Sequence, residues 1–143
     1  MTLADVNVLV YAFARQMPDH ERYRAWLDRT VAGPDPFGVS ELVLSAVVRI
    51  VTRRKPFAEP EPLDEALAYV TRLRGQPNAV SLRPGPRHWE IFTGLCRTAA
   101  AAGNLVPDAY HAALAIEHGC EWVTTDRDFA RFPGLRWRHP LDA

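Results

Sequence analysis

Four carboxylates in this chain stand where side chains most often do chemistry, at the ends of strands and in the first turns of helices: Asp5, Glu41, Asp108 and Asp126. Asp108 and Asp126 fall within one stretch, LVPDAYHAALAIEHGCEWVTTDRDF, residues 105–129, which reads as helix, turn and strand. Asp108 opens that helix and Asp126 closes that strand. A helix of about a dozen residues and its antiparallel return along a sheet cover similar lengths, so both acids come back to one rim. Asp5 follows a short first strand, Thr2 to Ala4, and Glu41 lies in the first turn of a helix that Ser40 caps. Taken singly, Glu41 and Asp108 can simply complement helix dipoles, each by about 0.3–1 kcal/mol. Taken together they pose a different problem. Like charges about 4 Å apart repel by roughly 4 kcal/mol at an effective dielectric near 20, so converging carboxylates take up protons or cations. Mg²⁺ or Mn²⁺ suits oxygen ligands. Such ions activate water and stabilise the leaving oxygen of a phosphodiester. Metal-assisted phosphodiester hydrolysis is the expected chemistry.

Neighbouring polar residues supply candidates for support. Asn7, two residues beyond Asp5, can hydrogen-bond a ligating carboxylate or serve as a turn residue. Thr124 precedes Asp126 by two, and a strand running through both points them to one face. Asp128 is either a further acid acting through water or a solvated helix cap. His111, three residues after Asp108 on the same helix, can orient substrate or act as a base; a packed helix histidine is the alternative. Arg15, Arg53, Arg54, Lys55 and Arg127 are candidates for contact with a phosphodiester backbone, or ordinary surface charges. Trp26, Trp89, Trp122 and Trp137 sit in periodic apolar segments, which favours core packing over base stacking. His20, His88, His118 and His139 show no metal-ligand spacing, and neither a nucleophile elbow nor a P-loop is present.

The elements that must position these groups can be read from periodicity and punctuation. Val6 to Ala14 read as a short helix, and Asp19 as the N-cap of an amphipathic helix from His20 to Val31, stopped by Gly33, Pro34 and Pro36. Leu42, Val43, Ala46, Val47, Ile50 and Val51 repeat at helical spacing. RRKPFAEPEP is the most loop-like tract. A helix resumes from Leu63 to Leu73, with Gly75 as its stop. Ala79 to Leu82 suit a strand, Pro86 an early helical residue of a helix to Ala102 closed by Gly103, and Leu135 to Trp137 a final edge strand. Alternating strands and helices imply an α/β fold in which helices flank a short, mostly parallel sheet on both faces. Ligands of such sheets gather beyond the carboxyl ends of the strands.

Composition sets the outer bounds. A chain of 143 residues, 48% hydrophobic and 24% charged, suits a single domain over residues 1–143. Zero formal charge removes any global basic field. Cys96 and Cys120 make neither a disulfide framework nor a zinc spacing. The N-terminus has no signal-peptide pattern, and no apolar run is long enough for a bilayer. A cytoplasmic protein is expected.

Three pieces of the chain, LADVNVLVYAF, SELVLSAVVRIVTR and PDAYHAALAIEHGCEWVTTDRDFARFPGL, together resemble the PIN-domain ribonucleases, in particular the VapC-type toxins of bacterial toxin–antitoxin pairs. They span almost the whole chain, although Lys55 to Arg87 contributes little, and the last piece is the most specific. The resemblance implies a PIN-like α/β domain whose acidic quartet falls on Asp5, Glu41, Asp108 and Asp126. Asn7 matches the family's polar companion, Thr124 its Thr/Ser before the last acid, and Asp128 an extra acid of some members. It also implies a Mg²⁺ (or Mn²⁺) cofactor, an RNA substrate, a cognate antitoxin and a homodimer. Tyr23, Trp26, Leu27, Leu42 and Val43 form either the groove for that antitoxin or plain core. Two other functions compete: a catalytically silent PIN-like interaction module, and an aspartyl-phosphate phosphatase of the haloacid dehalogenase type. The second needs an Asp where Asn7 stands.

Overall fold

The computed structural model describes residues 1–55 and 58–142; Pro56 and Phe57, in the loop-like tract, fall outside that description. In chain order the elements are β1 (Thr2–Ala4), α1 (Val6–Phe13), α2 (His20–Ala32), β2 (Phe37–Val39), α3 (Glu41–Val51), α4 (Leu63–Arg74), β3 (Ala79–Ser81), α5 (His88–Thr98), α6 (Leu105–Glu117), β4 (Glu121–Val123), a 3₁₀ turn (Arg127–Arg131) and β5 (Trp137–Arg138). The five strands form one sheet in the order β3-β2-β1-β4-β5, and every pairing is parallel.

Successive strand residues point to opposite faces, so a strand buried along its whole length must be covered on both sides. Phe37, Gly38 and Val39 of β2 are all buried, as are the adjacent Trp122 and Val123 of β4. Helices therefore cover both faces. The chain winds outward from β1 to β2 and β3, then returns to the other side of β1 with β4 and β5. The switch point lies between β1 and β4, where a doubly wound sheet opens a crevice beyond its carboxyl ends. Asp5 and Thr124 are the residues that immediately follow those two strands.

Five details depart from the sequence-based expectation. β2 has no counterpart in it, because three residues with a central glycine carry no alternation to detect. Gly38 is nevertheless required there. A Cβ at that position would stand 2.5 Å from Leu82 Cδ1 and 3.4 Å from Leu3 Cδ1, in the buried seam between β2 and its neighbours. Overpacking of this kind costs about 1–3 kcal/mol. Gly38→Ala should therefore lower the urea midpoint without changing the slope, and an unaltered midpoint would show that Leu82 yields freely.

The second departure is β4, which ends at Val123, so Thr124 and Asp126 do not share a strand face; Asp126 instead caps the 3₁₀ turn. Third, Asp19 precedes α2 but has left-handed backbone (φ 58°) and makes no side-chain cap. Its carbonyl accepts from the Arg22 and Tyr23 N–H groups instead. Fourth, α5 begins at His88 and stops at Thr98, short of Ala102; Gly103, at φ +57°, belongs to the turn into α6. Similarly, the edge strand is Trp137–Arg138 rather than Leu135 to Trp137.

Candidate active site

Asp5 is the buried centre of the crevice. Its residue is only 7% exposed. One carboxylate oxygen, Oδ1, accepts the Val6 N–H at 2.6 Å, which ties the end of β1 to the start of α1. The other, Oδ2, accepts from Thr124 Oγ1 at 2.7 Å. Thr124 is wholly buried, and the same hydroxyl oxygen accepts the Asp126 N–H at 3.0 Å. Asp126 Oδ1 in turn accepts the Asp128 N–H at 2.9 Å. One relay of short bonds thus fixes the loop after β4 against the end of β1.

Asp108 enters from the first turn of α6. Burial, followed by the fields of Asp126, Asp5 and Asp128, pushes its carboxyl up to about 6. The Asp5 carboxyl is raised too, chiefly by burial and further by Asp126, against the lowering effect of its Thr124 and Val6 hydrogen bonds. No cation is among the groups acting on either. The structure thus gathers Asp5, Asp108 and Asp126 into one set of like charges, with Asp128 adding to the field on Asp108.

Glu41 shares the rim without joining that set. It opens α3 directly after β2, and β2 aligns with β1 in parallel register, Leu3 opposite Gly38. Leu42, the next residue, lines an apolar groove together with Pro107 and His111 beside the first turns of α6. The Glu41 carboxylate is instead held by Arg74 at 3.3 Å and Arg83 at 3.5 Å. Among the described residues, no three His, Cys, Asp or Glu side chains are close enough to grip one ion together. That openness suits a magnesium-like ion, which keeps several waters and binds through one or two carboxylates plus substrate phosphate.

The remaining candidates divide clearly. Asn7 is exposed on α1 and makes no side-chain hydrogen bond among the described residues. His111 stacks on Trp122, with ring centroids 5.5 Å apart and planes at 15°. Burial, helped by His88, lowers it to about 4, so it is a neutral packed ring at physiological pH. Trp26 and Trp122 are core residues, whereas Trp89 is 67% exposed. Tyr23, Trp26, Leu27 and Val43 are also core, leaving only Leu42 of that group on the surface. Arg53, Arg54 and Lys55 follow the last residue of α3, an 11-residue helix, and so lie roughly 16 Å along it from Glu41. Arg127 pairs with Asp142 at 3.6 Å. Arg74 and Arg83 were not foreseeable, since only the tertiary fold brings them to Glu41.

The sheet order, the switch-point crevice and the aspartates around it define a nuclease-like α/β site, and comparison with known proteins gives the family. The PIN domain model matches residues 2–135. Ribonuclease VapC43 of Mycobacterium tuberculosis is 44% identical over 142 residues, covering 99% of this chain and 97% of the relative. Ribonuclease VapC25 of the same organism is 44% identical over 140 residues, covering 98% and 99%. Among solved structures, VapBC2 from Rickettsia felis bound to a DNA fragment from its promoter shares the fold, with a TM-score of 0.69 at 18% identity over 96% of this chain and 97% of that one. The chain belongs to the PIN-domain family, with full-length similarity to its VapC-type ribonucleases.

Proposed function

We propose that the protein is a metal-dependent endoribonuclease and the toxin of a type II toxin–antitoxin pair. One observation carries the catalytic reading: at the switch point Asp126 raises both Asp5 and Asp108, and Asp5 and Asp128 add to the field on Asp108. Asp5, Asp108 and Asp126 would hold Mg²⁺ (or Mn²⁺), with Glu41 completing the quartet once it leaves its arginines. A divalent ion there supplies activation of water and neutralisation of phosphodiester charge. Thr124 opposes the effect of burial on the Asp5 carboxyl and fixes the Asp126 backbone, while His111 packs on Trp122.

The partners follow from the same proposal. A solved structure from Klebsiella pneumoniae that shares the fold is a toxin–antitoxin complex, and a cognate antitoxin here has a cleft of about 670 Å³ between α2 and α4 to fill. That cleft is lined by Arg15, Arg24, Arg72, Asp28, Glu61 and Glu65, so a segment carrying both charges suits it. The exposed Leu42 and the apolar groove beside it suit the homodimer contact. No helix among the described residues is long and apolar enough to cross a membrane, and the proposed site of action is the cytoplasm.

Purified protein should cleave single-stranded or looped RNA in Mg²⁺ or Mn²⁺ and stop in EDTA. Calorimetry should record Mn²⁺ binding. Cleavage that persists in EDTA would overturn the metal assignment, and Mn²⁺ binding without any RNA cleavage would favour a silent interaction module.

A further inference from the structure

Glu41 is the one carboxylate among the described residues that engages two arginines. Arg74 comes from the last turn of α4 and Arg83 from the loop after β3. All three side chains are more than half exposed, so water alone would satisfy each of them. Two guanidinium groups on one carboxylate leave a net positive charge on a rim otherwise occupied by aspartates. The loop that carries Arg83 is also well anchored. The Leu82 N–H donates to the Val39 carbonyl at 2.8 Å, His118 Nε2 meets the Arg83 carbonyl at 2.7 Å, and Glu117 accepts the Gly85 and Arg87 N–H groups at 2.7 and 3.0 Å.

We propose that Arg74 and Arg83 bind backbone phosphates of the RNA strand as it leaves the catalytic crevice, with Glu41 as their placeholder before substrate arrives. This rests on the ribonuclease reading and deepens it. A crevice of four aspartates repels a polyanion, so productive binding needs fixed cations immediately beside it. The guanidinium fork matches phosphate oxygens as well as it matches a carboxylate, and exchange of one for the other conserves its hydrogen bonds. Were Glu41 to turn from them, both arginines would lose their counter-charge and be free to meet phosphates. Arg53, Arg54 and Lys55, at the far end of α3, are not placed to do this.

The test is binding as a function of salt. A short fluorescein-labelled random-sequence single-stranded RNA pool is titrated with the full-length chain carrying Asp108→Asn, in Mg²⁺, and the logarithm of affinity is plotted against the logarithm of salt concentration. Each phosphate contact contributes roughly 0.7 to that slope for single strands. Adding Arg74→Ala or Arg83→Ala should reduce affinity and flatten the slope by about 0.7 each, and the double substitution by about 1.4. Lys at either position should restore the slope. Arg22→Ala, which removes the same charge from α2, should leave it unchanged. An unchanged slope in both variants, or weakened binding with an unchanged slope, overturns the inference. If the parent chain cleaves RNA while these variants bind like it, only this inference fails. If the parent neither binds nor cleaves RNA, the ribonuclease reading itself falls.

Discussion

Asp108→Asn should abolish RNA cleavage and at the same time stabilise the metal-free protein at neutral pH. The two effects have one cause. In the folded chain the Asp108 carboxyl is pushed from the ordinary aspartate value of 3.8 up to about 6, first by burial and then by Asp126, Asp5 and Asp128. A raised carboxyl means that the folded state holds its proton more tightly than the unfolded state, so stability falls as pH rises. The deficit is absent below about pH 4 and complete above about pH 6. A shift of this size corresponds to at most about 3 kcal/mol. Asp108 is only half-buried, so screening by water reduces the amount to roughly 1 kcal/mol, or a few degrees in Tm. Asparagine removes the repulsion while forfeiting a favourable interaction with the α6 dipole of about 0.3–1 kcal/mol. Urea titrations in EDTA should place the variant above the parent at pH 7, with the gap narrowing at pH 5 and closing below about pH 4. Mg²⁺ should then stabilise the parent more than the variant. Cleavage should drop by at least about a hundredfold, since even outer-shell partners of metal ligands are commonly worth 10–100-fold. A variant less stable than the parent at pH 7 would mean that the crevice is not electrostatically strained.

Much of this site could be read from residue order, because most of it is local. Asp5 after a strand, Glu41 after a capping serine and Asp108 in a first helical turn are statements about neighbours a few positions apart. The α/β alternation was equally legible, since α3 and α4 repeat apolar residues at helical spacing. What escaped was non-local. β2 forms because Phe37 and Val39 find a place on one covered face, and Gly38 on the other, of a sheet whose neighbouring strands lie far away in sequence. The pairing of Glu41 with Arg74 and Arg83 depends on α4 and the β3 loop folding back against α3. His111 illustrates the same limit: its spacing from Asp108 left catalysis and packing both open, while Trp122, on a different element, decides that it packs. The apolar faces of α2 and α3 posed the question of groove or core, and only burial against the sheet answered it for Tyr23, Trp26, Leu27 and Val43.

Thr124 shows how a correct pairing can rest on a different geometry. A continuous strand through Thr124 and Asp126 would have set both side chains on one face, with no bond between them. Instead the strand stops at Val123, and the turn brings the Asp126 N–H onto Thr124 Oγ1 while that hydroxyl donates its proton to Asp5. Thr124→Val keeps the shape and removes both bonds. It leaves Asp5 Oδ2 and the Asp126 N–H without partners in a buried site, where an unmade hydrogen bond costs about 1–3 kcal/mol and more for a charged group. Asp5 can limit that loss by taking up a proton, because the Thr124 bond is what opposes the effect of burial on its carboxyl. The expected result is therefore a destabilisation of about 2–3 kcal/mol at pH 7 that shrinks as pH falls. Mn²⁺ affinity should fall by roughly 10–100-fold, and the acid limb of the cleavage profile should move to higher pH, because a protonated Asp5 is a poorer ligand. Serine at this position retains the hydroxyl and should recover most of both losses. Were Thr124→Val to keep the parent's Mn²⁺ affinity and acid limb, Thr124 would be a packing residue, and the ionised state of Asp5 would have to be maintained by the Val6 N–H alone.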